Sequence, residues 1–457
     1  MLTRVGAVPV ALLAAALVIS GCSATIPGHP LPADGVVVGP VDTGILHGGD
    51  GGPIDQLATA TLLDVQSYWQ ATFEPAFGVA WRDISGGFFS VDTSDPAAPP
   101  PPCVDASIQL EGNAFYCAAA DAIAWDRTAL FPVLREQHGD GGIVVVLAHE
   151  VGHAVHHRLG IDSALARRQP DRYPTVLIEA MADCYAGSFV RWVTDGRAEH
   201  LSLDQQELDL ALSALVTFRD PVGTSAGDLE AHGNAFDRIS AFQDGYQRGP
   251  RLCTSFTVAN RKFTQARFIT LEDQARGGNL SFDQLIGLIT QDLDAYFADL
   301  VTERGGQWQA PQVRTSGQTH GCAAKQGPTG FCPADDAIEL DRSGQLPELH
   351  AHIGDYATGT LLASRYGLAA LAALGQPTEG ESARRDALCL AGTYTGTLLR
   401  REDGFGLSPG DLDEAVQVLL GYDYSSRDAA GRGLPSGFAR VDEFRAGTLD
   451  GVRACAL

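Results

Sequence analysis

Two histidines four residues apart, with a glutamate beside the first, are the residues of this sequence best suited to metal chemistry. They are His149, Glu150 and His153, in the segment HEVGH. On a helix, positions four apart share a face, so both imidazoles can bind one metal ion while the adjacent carboxylate stays available as a base. This HExxH pattern is typical of helical zinc hydrolases, and chance would supply it only about 0.02 times in a chain of this length and histidine content.

A catalytic zinc ion needs a third protein ligand, and its fourth position is kept for water. Residues 175–196 have the apolar periodicity of a second helix, on which Glu179 and Asp183 lie four apart on one face. We expect Glu179 to complete the site and Asp183 to accept the outer N–H of a ligating histidine. The pattern predicts metal-assisted hydrolysis with one Zn²⁺ and with Glu150 as the general base.

Two helices must therefore meet at the metal. Residues 141–160 contain a β-branched run that is also compatible with a strand, but its length, its terminal glycine and the histidine spacing favour a buried helix. Residues 122–125 are expected to form a strand. These elements predict an α+β fold that is mainly helical and has a small sheet.

The segment EAMADCYAG, residues 179–187, resembles the bacterial neutral zinc metallopeptidase family, and its E-x-x-x-D spacing is similar to the wider gluzincin, thermolysin-like pattern. The resemblance covers roughly residues 54–260 and implies a zincin-like fold that cleaves peptide or protein substrates. It also implies that Asn113 and Ala114 bind the substrate backbone from an edge strand, and that His232 stabilises the oxyanion. The plainer alternatives are a turn at Asn113 and a surface role for His232.

Two further histidines, His156 and His157, are interpreted as polar residues at a helix end.

The sequence also repeats itself. Residues 115–127 recur at 330–342 with an offset of 215, and residues 184–187 recur at 389–392 with an offset of 205. Several matches in the same order predict a tandem duplication. Since each copy holds four cysteines in corresponding places, the repeat favours four disulfides within the copies. The expected pairs are Cys103 with Cys117, Cys184 with Cys253, Cys322 with Cys332, and Cys389 with Cys455.

The second copy lacks every residue to which chemistry is assigned. Alignment of Arg158 with Arg365 places residues 356–360, YATGT, under HEVGH. Alignment of Cys184 with Cys389 places Arg384 and Leu388 at the positions of Glu179 and Asp183. The segment that matches His232 offers Leu434, and Asn113 maps to Pro328. We expect zinc in the first copy only, and a silent second copy that shapes the substrate cleft, binds a protein partner or stabilises the first. His350 and His352 are interpreted as solvated.

The first residues resemble a bacterial lipoprotein signal. A short basic start, an apolar run and a small-residue site ending in Cys22 predict cleavage after residue 21 and a lipid on Cys22. A plain secretory signal and an uncleaved anchor are the alternatives. The lipid would hold the protein at the outer face of the cell membrane. We expect a Gly/Pro-rich tether over residues 22–53, a metallopeptidase domain over 54–260, a connector over 261–280 and the silent copy over 281–457.

The charge and the alternative function complete these expectations. A formal net charge of -24 argues against nucleic-acid binding, because phosphate recognition needs a basic surface. The alternative is a non-enzymatic envelope lipoprotein with a structural zinc site that acts as an interaction scaffold. Glu150 distinguishes the two functions, since a structural site needs closed coordination and no base.

Overall fold

The structure, a computed structural model, describes residues 36, 39–161, 163–228, 231–401 and 403–457. The predicted signal segment and Cys22 lie outside the described residues. The fold is α+β, with two small sheets among helices. The helices are α1 Pro53–Phe77, α2 Leu130–Arg158, α3 Ser163–Arg168, α4 Thr175–Thr194, α5 Gln205–Thr217, α6 Ala235–Arg248, α7 Pro250–Thr254, α8 Leu271–Ala275, α9 Phe282–Glu303, α10 Gln345–His352, α11 Asp355–Ala373, α12 Glu381–Leu398, α13 Asp411–Gly421 and α14 Gly437–Asp450. The strands are β1 Leu46–His47, β2 Phe88–Val91, β3 Ala114–Cys117, β4 Ala122–Asp126, β5 Gln312–Ser316, β6 Thr329–Cys332 and β7 Ala337–Asp341.

The sheet of the first half has the strand order β1-β2-β4-β3. β1, β2 and β4 run parallel, while β3 pairs antiparallel with β4 and lies at the edge. β4 is buried along its whole length, and it contains the strand predicted at residues 122–125. Over the described part of the chain, one edge of β3 thus has no strand partner.

Part of the predicted tether belongs to the fold. Leu46 and His47 pair with Phe88 and Phe89, so the interpretation of residues 22–53 as a tether throughout is wrong for this stretch. A strand of two residues has no readable period, and for this reason the sequence pattern missed it. Residues 22–35, 37 and 38 lie outside the described residues.

Two crossing helices carry the HEVGH and EAMAD segments. α2 kinks at Gly139, where φ is 63°, and the helix continues to Arg158, as predicted. Its β-branched residues 143–146 are almost entirely buried, which explains why they resemble a strand. Gly152 lets α4 approach closely, because a Cβ there would lie 2.8 Å from the carbonyl oxygen of Ala182. This contact brings the ligand-bearing faces of α2 and α4 together.

Each half contains two disulfides, which join neighbouring elements. The structure links the same four pairs that the sequence analysis expects. Cys184 with Cys253 ties α4 to α7, and Cys389 ties α12 to the residues after α14 through Cys455. Each of these two pairs closes a loop of more than 60 residues around its helical layer.

The second half repeats the order of these elements. β5 pairs parallel with β7 and β6 pairs antiparallel with β7, as β2 and β3 do with β4. Gly367 of α11 meets Ala387 of α12 as Gly152 meets Ala182, so a Cβ at Gly367 would also lie 2.8 Å from a carbonyl oxygen. The offset along α11 is therefore 367 − 152 = 215, the same as in the strands.

This correspondence corrects the alignment of the second copy. Residues 356–360 do not lie under HEVGH, because Arg158 and Arg365 are not equivalent positions. The alignment through Arg158 and Arg365 is shifted by eight residues, because the tripeptides R-L-G and R-Y-G are similar. The glycines that pack against the facing helix, Gly152 and Gly367, give the correct register. Ser364, Arg365 and Leu368 occupy the positions of His149, Glu150 and His153.

The two halves contact each other through helices. α13 and α14 pack against α5 and α6. Asp209 of α5 accepts the backbone N–H groups of Gly437 and Phe438 at 2.6 and 2.8 Å, at the start of α14. Over the part of the chain that the structure describes, none of the helices combines the length and apolar character needed to cross a membrane.

Candidate metal centre

Three side-chain atoms of α2 and α4 converge on one point. Nε2 of His149 lies 3.1 Å from Nε2 of His153 and 3.2 Å from Oε2 of Glu179. The separation between Nε2 of His153 and the same oxygen is 3.6 Å. Tetrahedral zinc with ligand bonds of about 2.0–2.1 Å places its donor atoms roughly 3.3 Å apart. The three distances fit that spacing.

The hydrogen bonds behind the histidines orient their lone pairs toward this point. Nδ1 of His149 lies 2.7 Å from Oδ1 of Asp183, a carboxylate that can only accept, because the pKa of Asp183 is lowered to about 2. Burial opposes that shift, but the charges of Arg238 and His149 outweigh it. Nδ1 of His149 must therefore carry the proton, which leaves Nε2 free to bind a metal.

A chain of two further bonds orients His153. Nδ1 of His156 lies 3.0 Å from the carbonyl oxygen of Ile161, so it donates its proton there. Burial lowers the pKa of His156 to about 3, so its Nε2 is an acceptor, and it lies 3.0 Å from Nδ1 of His153. His156 lies in the last turn of α2, as predicted, but its ring is buried and fixes the orientation of His153, a role that the sequence did not indicate. His157 instead contacts the hydroxyl of Tyr116 at 3.1 Å.

The carboxylate of Glu179 supplies an independent test of the fit to zinc. Its Oε2 is buried and has no hydrogen-bond partner among the described residues, although it faces two imidazoles. Burial raises the pKa of Glu179, yet the neighbouring histidines hold it well below its usual value. Burial lowers the pKa of His149, but Asp183 and Glu179 raise it to about 10. The arrangement thus favours positive charge where the three atoms meet, which a proton on an imidazole supplies without a metal and which a divalent cation would supply in its place.

Sequence analysis missed one residue of this network, Arg238. Its Nε and Nη2 donate to the two oxygens of Asp183, both at 2.9 Å, and its Nη1 donates to the carbonyl of Phe218 at 2.6 Å. Asp183 is completely buried and Arg238 is 6% exposed. An arginine six positions after His232 carries no motif, so only the packing of α6 against α4 identifies it.

Glu150 lies where a base would be needed. It is buried, and its Oε2 accepts the backbone N–H of Tyr116 at 2.8 Å. Burial raises the pKa of Glu150, and the two histidines partly offset that rise. Because the N–H of Tyr116 points to the unpaired edge of β3, the backbone groups of Ala114, two residues earlier, share that edge. The free edge of β3 therefore faces the metal centre.

The expected substrate residues line one cavity of about 800 Å³ together with the metal-binding side chains. Asn113, Ala114 and His232 all contribute to its wall, whereas Asp183 lies behind it. His232 is half-exposed, and its Nδ1 lies 3.4 Å from Oδ1 of Asp220. The hydrogen bond with Asp220 raises the pKa of His232. The structure thus brings together every site residue that the sequence analysis assigned to the metal and the substrate.

The corresponding place in the second half is filled by an arginine. Arg365 is fully buried, and its guanidinium donates to the backbone carbonyls of Tyr424, Ser425 and Arg427 at 2.7–3.1 Å. Burial lowers its pKa to about 9. A buried cation in this position excludes a second cation there.

His350, expected to be solvated, is half-buried instead. Its Nε2 contacts the carbonyl of Leu280 at 3.0 Å, and its ring packs on Phe282. The apolar partners lie 70 residues away in sequence, which is why the local polar stretch misled the prediction.

Comparison with known proteins agrees with the first-half site. The model of a family described as "Putative neutral zinc metallopeptidase" matches residues 54–256. The chain is also similar to "Uncharacterized protein YpfJ" of Escherichia coli strain K12 and to the protein of that name in Escherichia coli O6:H1, each 28% identical over 158 residues. These alignments cover 31% of this chain and 53% of each relative, so the chain spans about half the length of the curated relatives it matches. No solved structure matches the chain.

Proposed function

We propose that this protein is a zinc-dependent peptidase whose single zinc ion is held by His149, His153 and Glu179. The observation that carries the proposal is the convergence of two imidazole lone pairs on a buried carboxylate oxygen without a hydrogen-bond partner. The similarity of residues 54–256 to a zinc metallopeptidase family supports the same activity. A purely structural site is less favoured, because the three donors face a cavity of about 800 Å³.

Bound at these residues, Zn²⁺ would supply Lewis-acid chemistry by polarising a carbonyl and lowering the pKa of water. Glu150 takes a proton from the attacking water and later gives it to the leaving amine. The N–H of Tyr116 holds one oxygen of Glu150, so the other oxygen is left to carry that proton. The edge of β3 at Ala114 aligns an extended peptide by strand addition. His232, held by Asp220, donates to the developing oxyanion.

The test compares Glu150→Gln with Glu111→Gln, a change at an exposed glutamate before β3. We expect the Glu150 variant to bind one equivalent of zinc and to lose peptide cleavage by at least 10²-fold, as expected for loss of a general base. The Glu111 variant should keep both. Zinc is measured by elemental analysis, and cleavage with a fluorogenic peptide library, with and without a chelator. An undiminished rate for Glu150→Gln contradicts the mechanism, and retained zinc without cleavage in the wild type favours the structural-scaffold alternative.

We further propose that the two halves arose by tandem duplication and that the second, 281–457, is a silent copy that shapes the cleft. The repeated strand order and the equivalent close approaches of Gly152 and Gly367 support the duplication. A contact supports the role in the cleft: Oδ2 of Asp413, on α13, lies 3.1 Å from Nε of Arg219, a residue that lines the cavity. The second copy thereby fixes part of the substrate-binding wall.

The proposed location is the outer face of the cell membrane, with a lipid on Cys22. It rests on the basic start, the apolar run and the small residues before Cys22. Metabolic labelling with a palmitate analogue tests it, with Cys22→Ser as the variant. Labelling that persists in this variant contradicts the lipid anchor.

A further inference from the structure

Three carboxylates are buried together in the second half, away from the zinc centre. Asp355 is the first residue of α11, and Asp411 and Glu414 lie in the first turn of α13. Their exposed fractions are 3%, 5% and 6%. Each offers one carboxylate oxygen, and the three oxygens all lie within 4.8 Å of one another. Within the described part of the chain, none of the three forms an ion pair.

Backbone N–H groups fix the orientation of all three carboxylates. One oxygen of each accepts such a bond: Oδ2 of Asp355 from Leu280 at 2.7 Å, Oδ2 of Asp411 from Ser408 at 2.8 Å and Oε2 of Glu414 from Tyr356 at 2.8 Å. The opposite oxygens of the two aspartates, both named Oδ1, are buried and have no hydrogen-bond partner. A buried carboxylate oxygen that lacks a donor is costly unless a cation or a proton compensates it.

The charges around the cluster do not compensate it. Arg276 is near enough to affect Asp355, but its guanidinium pairs with Asp273 at 2.9 Å, and Asp273 adds further negative charge. Burial raises the pKa of Glu414 to about 8 and that of Asp355 to about 6, and each rise is reinforced by neighbouring carboxylates. Burial also raises the pKa of Asp411 well above its usual value. Three buried carboxylates with no paired cation among the described residues therefore need positive charge from a bound ion or a proton.

We infer that Asp355, Asp411 and Glu414 bind a calcium ion that joins α11 to α13. An all-oxygen donor set selects a hard cation rather than zinc. Ca²⁺ takes about six to eight oxygen ligands in a flexible geometry, whereas Mg²⁺ demands a near-ideal octahedron, so carboxylates whose orientations are already fixed by backbone N–H groups suit calcium better. Asp355 and Asp411 also line a cavity of about 370 Å³, through which the ion and its water ligands can enter.

The site would act on the position of α13. This helix carries Asp413, which contacts Arg219 in the wall of the other cavity. Calcium at the start of α13 would hold that helix against α11 and reduce its motion relative to the first half. The binding inference itself does not depend on the proposed peptidase activity.

The experiment is a calorimetric titration of the full chain, purified with its zinc, with Ca²⁺ and separately with Mg²⁺. Salt at 150 mM screens unspecific attraction to the acidic surface. We expect one saturable Ca²⁺ per chain and at least tenfold weaker binding of Mg²⁺. Asp411→Asn should weaken Ca²⁺ binding at least tenfold. Asp386→Asn is the matched control, because it changes a buried aspartate of the second half that lies outside the cluster and accepts the backbone N–H of Ala456, and it should leave the affinity unchanged.

A second measurement covers the case in which Asp411→Asn does not fold. Tyr356 follows Asp355 directly and lines the same cavity, so it can sensitise Tb³⁺ bound to the cluster. We expect tyrosine-excited Tb³⁺ emission from the wild type that Ca²⁺ displaces, and a melting temperature that rises with Ca²⁺. Wild-type protein that shows no saturable Ca²⁺ binding, or Asp411→Asn protein that binds as tightly as the wild type, overturns the inference and assigns the positive charge to protons.

Discussion

Asp183→Asn is the substitution that best tests how the metal centre is built, because it alters the site without replacing a proposed ligand. Asp183 accepts from Nδ1 of His149 at 2.7 Å and from two nitrogens of Arg238 at 2.9 Å. Asparagine keeps the shape but loses the charge, so it no longer fixes the tautomer of His149. We expect zinc affinity to fall by roughly 10- to 100-fold, the usual effect of losing such a partner.

The same substitution should also destabilise the fold. Arg238 would be left as a buried cation whose remaining described bond is to the carbonyl of Phe218. Removing one partner of a buried ion pair costs about 3–5 kcal/mol, and the surviving bond favours the lower value. Urea unfolding of the zinc-free protein measures this loss, and competition with a chromophoric chelator measures zinc affinity.

Asp64→Asn provides a matched control, because Asp64 is also a buried aspartate bonded to a histidine. It is 1% exposed, and its Oδ1 lies 2.8 Å from Nδ1 of His200, outside the metal-site cavity. We expect this variant to lose stability but to keep zinc affinity within about twofold, because no zinc ligand depends on it. Equal loss of zinc affinity in both variants, or none in Asp183→Asn, would refute the assigned role.

Three other substitutions test the interface between the halves, a buried carboxylate and the crossing of α2 with α4. Asp413→Asn removes the ion pair that holds Arg219 in the cavity wall, so the KM for peptides should rise severalfold in steady-state kinetics. Asp442→Asn changes a residue of the same interface that contacts Gln247, and it should leave KM unchanged. Burial raises the pKa of Asp237 to about 6, so between about pH 4 and pH 6 this group binds more protons in the folded than in the unfolded chain, and its contribution to stability falls by about 3 kcal/mol as the pH rises. Other buried carboxylates titrate in the same range, so Asp237→Asn should still lose stability with rising pH in urea unfolding, but by about this amount less than the wild type. Gly152→Ala places a Cβ 2.8 Å from the carbonyl oxygen of Ala182, so it should lower the free energy of unfolding by about 1–3 kcal/mol and weaken zinc binding. Gly287→Ala is the control, because a Cβ there meets nothing within 4 Å, and it should have neither effect.

The metal ligands were predictable because each signal was local. Helical spacing alone places His149 with His153 and Glu179 with Asp183, and the apolar faces identify the two helices. Arg238 was not predictable, since its role depends on α6 crossing α4, a contact between segments more than 50 residues apart. The orienting role of His156 was not predictable for a different reason, because it depends on the turn after α2 that brings the carbonyl of Ile161 to its ring.

The alignment of the two halves could be fixed by helix packing but not by short sequence matches. Short matches such as R-L-G and R-Y-G are compatible with two alignments, and a helix pattern tolerates both. A glycine at a helix crossing is compatible with only one, because an added Cβ would meet a carbonyl oxygen of the facing helix. Steric contact between the helices therefore fixes the alignment of the two halves, which the short sequence matches left open.

The second half differs from the first by more than the absence of side chains that could bind zinc. Arg365 stands where Glu150 stands, and backbone carbonyls already hold its guanidinium. Replacing it with glutamate would put a carboxylate among carbonyl oxygens with no imidazole nearby at the Ser364 and Leu368 positions, so no zinc site would return. Since the interior of this half is closed to that chemistry, its contribution must come through its surface, where α13 and α14 meet the first half. Asp413 on α13 is the point at which that surface reaches the cleft.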